Sequence, residues 1–255
     1  MATFNDLVAE GAAVPVEGWD FSWFAGRATE ARPSWGYARL LGEHLAQARA
    51  ALDIDTGGGE VVATAPTPPP VLVATESWPP NVPVARAHLA PLGGTVVETA
   101  PDAPLPFADN TFDLVTSRHP VRADWPEIAR VLAPGGTYLS QQVGRASVHE
   151  LTEWFLGPTP VGSGRDPEVA VAAAYAAGLR VRRLLVESLP MTFDDVAAVI
   201  VFLRKVPWIV PGFTPADHLD RLRGLHAEIT AHGPFRATSA RFLVEATKPG
   251  QRSGS

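Results

Sequence analysis

The chain contains no cysteine, which excludes disulfides, thiolate metal sites and a cysteine nucleophile, and leaves the redox compartment unreported. It also lacks any apolar run near the ~18 residues that a membrane span requires. Its start, Met1 to Glu10, is acidic where a targeting segment would place positive charge ahead of an apolar stretch. A soluble, untargeted, cytoplasmic protein with no membrane association is therefore expected. Positive charge is scarce too, the formal net charge being -6. Binding a phosphate backbone depends on Lys and Arg displacing condensed counterions, so nucleic acid is a disfavoured partner. The local basic stretch Arg180, Arg182 and Arg183 reads as a solvated strand edge. His218, His226 and His232 are not spaced at the three or four residues of helical metal ligands, so no metal site is expected.

What is present suits one α/β domain carrying an insertion: 255 residues, 46% of them hydrophobic, can bury a large core. Trp35, Ala38, Leu41, Leu45 and Ala48 recur at helical spacing. Ala51 to Ile54 is a short apolar strand followed at once by Gly57-Gly58-Gly59, a tight turn. Further strands are expected at Val71 to Thr75, Thr95 to Glu98, Phe112 to Ser117, Thr137 to Val143, Leu179 to Glu187 and Ala240 to Thr247. Helices between them should be opened by Asn81, by Asp124 with Pro126 and Glu127, by Ser147 with Glu150, and by Asp166-Pro167. Between the last two strands, Thr192 and Thr214-Pro215 should open two more, around an aromatic and proline-rich joint at 206–213. Alternation of strand and helix predicts an about seven-stranded, mostly parallel sheet with helices on both faces and a ligand crevice at the carboxyl ends of the strands. The expected organisation is a single domain: an N-terminal helical cover at 1–49, a core at 50–189 and 235–248, and a lid insertion at 190–234.

Leu52-Asp53-Ile54-Asp55-Thr56-Gly57-Gly58-Gly59-Glu60 resembles the first motif of class I S-adenosylmethionine-dependent methyltransferases, a Rossmann-like family. Glu76, ending the next strand, stands where that family has an acid for the ribose hydroxyls. Leu105 to Val115 resembles its loop and fourth strand, and Arg130 to Gly136 its turn before the fifth. The resemblance implies S-adenosylmethionine as cofactor, S-adenosylhomocysteine as product, and cofactor contacts from Asp53, Asp55, Thr56, Gly57, Gly59, Glu76, Ser77, Asp102, Ser117 and Arg118. Gly57 and Gly59 have a physical reason: backbone without side chains lets the methionine end of the cofactor lie against the turn. Two positions depart from the family pattern. Asp55 replaces its first glycine, and its charge either favours the sulfonium or crowds the methionine carboxylate. Asp102 lies about one place from the acid that contacts adenine.

Arg118 and His119 follow the fourth strand directly, which makes His119 the candidate catalytic residue, a proton acceptor for a substrate hydroxyl or amine. Trp35, Gln142 and Trp208 are the candidate substrate-binding residues; strand alternation allows at most one of Gln141 and Gln142 to reach a ligand. The function expected is methyl transfer to a small metabolite or natural product. The alternatives are an RNA methyltransferase of the same fold and an S-adenosylmethionine-binding protein without transfer activity. A nicotinamide dinucleotide-binding enzyme is disfavoured because Val62 stands where its fingerprint needs a third glycine. The absence of an Asn-Pro-Pro-Tyr type motif also disfavours methylation of base and glutamine amino groups. Oligomeric state is not legible.

Overall fold

The computed structural model describes residues 2–16 and 21–250. In chain order the elements are α1 (Phe4–Ala13), β1 (Ala28–Glu30), α2 (Tyr37–Leu45), β2 (Ala50–Ile54), β3 (Val71–Glu76), α3 (Val82–Leu89), β4 (Thr95–Glu98), β5 (Phe112–Arg118), α4 (Trp125–Val131), β6 (Leu132–Val143), α5 (His149–Leu156), α6 (Pro167–Ala176), β7 (Arg180–Phe193), α7 (Val196–Lys205), α8 (Leu219–His232) and β8 (Phe235–Thr247). The strands form one mixed sheet of order β1-β7-β8-β6-β5-β2-β3-β4. The pairs β2–β3, β2–β5, β3–β4 and β5–β6 are parallel, whereas β6–β8 and β1–β7 are antiparallel. The α/β, mostly parallel architecture expected from the alternation is thus present. Added to it is the three-residue β1, whose Ala-Thr-Glu carries no apolar pattern.

The chain divides into two compact units: Met1–Arg32, Arg145–Gly162 and Ser188–Ala240 form one, and Pro33–Gly144, Ser163–Glu187 and Arg241–Ser255 the other. The first has its own core, in which the wholly buried α7 residues Val196 to Val201 pack with Leu7, Phe24, Leu151, Phe193, Leu222 and Leu225. Asp195, not Thr192, opens α7, its carboxylate accepting from the Ala198 amide. Thr192 is still in β7, its hydroxyl bonded to that of Thr29 at 2.7 Å. Thr214 closes a single turn on Asp217, and α8 begins only at Leu219. Nor does Ser147 cap α5; its hydroxyl accepts from the Ala240 amide.

In the second unit both faces of the parallel strands are buried, which is why they read as apolar runs. On one face Ala51, Leu72, Ala74, Leu114, Leu139 and Leu243 pack with α2 and α3 through Tyr37, Leu41, Leu45, Ala85 and Leu89. On the other, Leu52, Val115, Tyr138, Phe242 and Val244 pack with α4 and α6 through Trp125, Ile128 and Ala174. Each such leucine, valine, isoleucine or phenylalanine contributes roughly 1.5–3 kcal/mol of burial. Asp124 caps α4 by accepting from the Glu127 amide. Asn81 precedes α3 but makes no cap bond, and its Nδ2 is buried without a partner.

Two polar clamps explain why distant motifs belong together. Asp113 in β5 accepts from the amides of Arg49 and Ala50, which fixes the start of β2 beside β5. Arg130 of α4 donates to the carbonyls of Leu105 and Phe107 at 2.9 and 2.6 Å and to Glu127, while Glu127 accepts from the Leu105 amide at 2.8 Å. The loop before β5 is thereby moulded on α4. The Pro134-Gly135-Gly136 turn, expected to precede a strand, lies inside β6, where Gly135 and Gly136 exchange main-chain bonds with Lys248.

Candidate active site

Where β2, β3 and β5 end, the second unit opens into a cleft lined by Ile54, Asp55, Ser77, Asp102, Ser117 and Tyr138 among others. The turn after β2 contributes Asp55 to it. Asp55, Gly57 and Gly59 all have positive φ, at 51°, 65° and 77°. Asp tolerates this left-handed region better than most residues because its short side chain bonds locally. At Gly59 a Cβ would stand 3.2 Å from Leu89 and 3.5 Å from the Ala85 backbone, so glycine lets α3 lie against the turn. His88 of α3 also bonds the Gly58 carbonyl through Nδ1 at 2.7 Å, a support that no local sequence signal announced.

Glu76 joins this turn to the end of β3. One of its oxygens accepts from the Gly57 amide and the other from the Trp78 amide, both at 2.7 Å, and the residue is only 4% exposed. Burial raises its pKa, against the lowering effect of the two amides. Asp53, buried at 6% exposure, accepts from the Thr116 hydroxyl. Its pKa is raised to about 6 by burial, with the Thr116 bond opposing and the Asp55 charge adding. Asp55 is raised likewise, by burial first, with the Ser77 hydroxyl opposing and Asp102 adding. Asp102 is paired with Arg122 at 3.4 Å, and Arg122 and Asp124 line the cleft as well. The sequence marks Asp124 only as a helix cap and carries no signal for Arg122.

Ser117 lies buried beside the cleft, its hydroxyl bonded to Tyr138 and Ser140 at 2.8 and 2.9 Å, and its carbonyl accepts from Tyr37. Arg118 and His119 belong to the opposite side of the sheet, with Gln141 and Trp35. The Trp35 indole donates to Oε1 of Gln141 at 2.8 Å, and Nε2 of Gln141 stands 2.9 Å from Nε2 of His119. Burial, then the charges of Arg118, Arg241 and Arg165, hold the His119 pKa well below the ordinary imidazole value. Gln142, on the other side of β6, has its Nε2 buried without a partner. Trp208 belongs to the first unit and is 40% exposed. The structure thus gathers Asp55, Ser77, Asp102 and Ser117 at one cleft, with Asp53, Thr56, Gly57, Gly59 and Glu76 in the turn and strand ends beside it. Arg118, His119 and Trp35 form a separate cluster.

Residues 52–140 match the family model described as a methyltransferase domain. This segment is similar to methyltransferase domains, and that resemblance implies S-adenosylmethionine as the cofactor. Solved structures share the fold. A protein of Bacillus halodurans C-125 assigned as a methyltransferase is 18% identical, with 83% of this chain and 98% of that one covered and a TM-score of 0.57. The YcgJ protein of Bacillus subtilis is 20% identical over 84% and 98%, with a TM-score of 0.56. A geranyl diphosphate methyltransferase in complex with its diphosphate and sinefungin is 12% identical over 83% and 76%, with a TM-score of 0.50. None of the curated proteins matches this chain.

The donor set fits the cofactor. Its ammonium, ribose hydroxyls and adenine amino group all donate, its sulfonium is cationic, and the cleft is lined by the carboxylates of Asp55 and Asp102, with Glu76 buried beside it at the end of β3. Each Glu76 oxygen accepts one main-chain N–H, and a carboxylate offers roughly four lone-pair sites, so capacity for a diol remains. No described helix is long and apolar enough to cross a membrane.

Proposed function

We propose that this protein transfers a methyl group to a small-molecule acceptor, with Asp53, Asp55, Thr56, Gly57, Gly59, Glu76, Ser77, Asp102 and Ser117 forming the cofactor site. The observation that carries this reading is the Glu76 carboxylate held between the Gly57 and Trp78 amides, beside a cleft lined by Asp55, Ser77 and Asp102. When bound, the cofactor supplies an electrophilic methyl on a sulfonium. The chain's share is to hold its sugar through Glu76 and its cationic end near Asp55, and to align the acceptor in a water-poor space. Trp35, on the Gln141 side of the sheet, is proposed to bound the acceptor. A net charge of -6 supports a small molecule over RNA. Geranyl diphosphate in the structural relative supports the same substrate class.

Isothermal titration with S-adenosylmethionine, S-adenosylhomocysteine and NAD tests the reading. Heat with both sulfur compounds and none with NAD is expected; absence of binding by both sulfur compounds overturns it. A second reading, cofactor binding without transfer, is supported by Asp55 at a positive φ in place of glycine. Binding without turnover over a broad set of metabolite and natural-product acceptors would favour it.

A further inference from the structure

The Trp35–Gln141–His119 chain has a fixed direction. An indole N–H can only donate, so the Gln141 oxygen faces Trp35 and its NH2 group faces His119. That NH2 group can only donate in turn, so Nε2 of His119 is the acceptor. A neutral imidazole that accepts at Nε2 carries its proton on Nδ1. The His119 proton is thus on Nδ1, while its accepting nitrogen is already engaged by Gln141. This arrangement does not suit the proton-accepting role expected from its place in the sequence.

The surroundings of this donor are cationic. Arg118 is registered with Gln141 across β5 and β6, and Arg241 with Val143 across β6 and β8. Gln141 and Val143 are two residues apart, so both arginines share the sheet face that carries Gln141. Arg165 also acts electrostatically on His119. The carboxylates of this face are engaged by protein groups, Asp53 by the Thr116 hydroxyl and Glu245, registered with Leu139, by Arg183. Asp55 and Asp102 line the cleft reached from the opposite face.

We propose that His119 Nδ1–H, Arg118 and Arg241 form an oxyanion-binding subsite for the acceptor, which therefore carries a carboxylate or a phosphate. This rests on reading the site as one for methyl transfer to a small molecule. Charge is divided to match two ligands: acids for a cationic cofactor, guanidiniums and a neutral imidazole donor for an anionic acceptor. Guanidinium and imidazole N–H groups bind such oxyanions by charge-assisted hydrogen bonds. His119 then needs to remove no proton from the anchored group.

The test uses the full chain, free and loaded with S-adenosylhomocysteine, with the side-chain 15N signals of His119 as readout. Acetate and inorganic phosphate are titrated separately, since these small anions enter even a narrow subsite. The His119 signals should show the neutral Nδ1–H tautomer and shift saturably with at least one anion, the effective one distinguishing carboxylate from phosphate. Arg118→Gln, at an exposed position, should fold normally and weaken that anion about tenfold or more, and Arg241→Gln should act in the same direction. An Nε2–H tautomer, no saturable shift up to about 100 mM of either anion, or undiminished affinity in Arg118→Gln would overturn the proposal. Failure of S-adenosylhomocysteine to bind would count against the methyl-transfer reading alone, because the anion titrations run equally on the free protein.

Discussion

The Gly57 amide donates to the Glu76 carboxylate at 2.7 Å, tying the turn after β2 to the end of β3. Glu76→Gln leaves one of the two amides, Gly57 or Trp78, facing an NH2 group. An unsatisfied buried donor costs about 1–3 kcal/mol, and urea unfolding should register a loss of that size. Titration of S-adenosylhomocysteine should show affinity reduced about tenfold or more, the ribose having lost its carboxylate. Lower stability with undiminished affinity would remove Glu76 from the cofactor site.

Asp53 links stability to pH. Its pKa in the folded protein is raised from 3.8 to about 6 by burial, so the folded state keeps a proton that the unfolded chain releases. The stability this provides is complete below pH ~3.8 and is lost as pH rises through about 6. Asp53→Asn retains an oxygen to accept from Thr116 and removes the buried charge. The variant should exceed the parent in stability by about 3 kcal/mol at pH 8, with the advantage vanishing near pH 4. Parallel denaturant curves across this range decide it; an advantage that does not depend on pH would contradict the shifted pKa.

Arg130 donates through Nη1 to Phe107, through Nη2 to Leu105 and Glu127, and through Nε to Glu127. A lysine keeps the charge but cannot reproduce that fork. Arg130→Lys should lose about 2 kcal/mol and expose the 105–110 loop to faster proteolysis. Unchanged cleavage there would show that the loop is held by other contacts.

Much of this arrangement was legible because it is local. The run from Leu52 to Gly59 joins a buried strand to positive-φ glycines, and Asp124 and Asp166 cap the helices that follow them. Other parts depend on tertiary context. Asn81 has the composition of a cap but sits buried without a cap bond, and Thr192 is held in β7 by Thr29 across the strand pair. The Trp35–Gln141–His119 chain joins side chains up to 106 residues apart in sequence, and no periodicity encodes it. Alternation limits ligand contact to one of Gln141 and Gln142, of which Gln142 is the candidate named from the sequence; the structure places Gln141 against His119.

Asp55 offers the sharpest test of how the turn treats its cofactor. Its backbone is left-handed at φ 51°, which costs an L-residue about 1 kcal/mol, and burial raises its carboxyl pKa. Asp55→Gly removes both penalties, so thermal unfolding should move to higher temperature. Its effect on ligands separates two physical roles. An acid that serves the sulfonium favours S-adenosylmethionine over the neutral S-adenosylhomocysteine, and the ratio of their affinities should fall several-fold in Asp55→Gly, as one screened charge contact implies. An acid that crowds the methionine carboxylate disfavours both ligands alike, so both would tighten with their ratio unchanged. The expected outcome is the falling ratio, because Asp55 lines the cleft itself; joint tightening at constant ratio would assign the residue to repulsion.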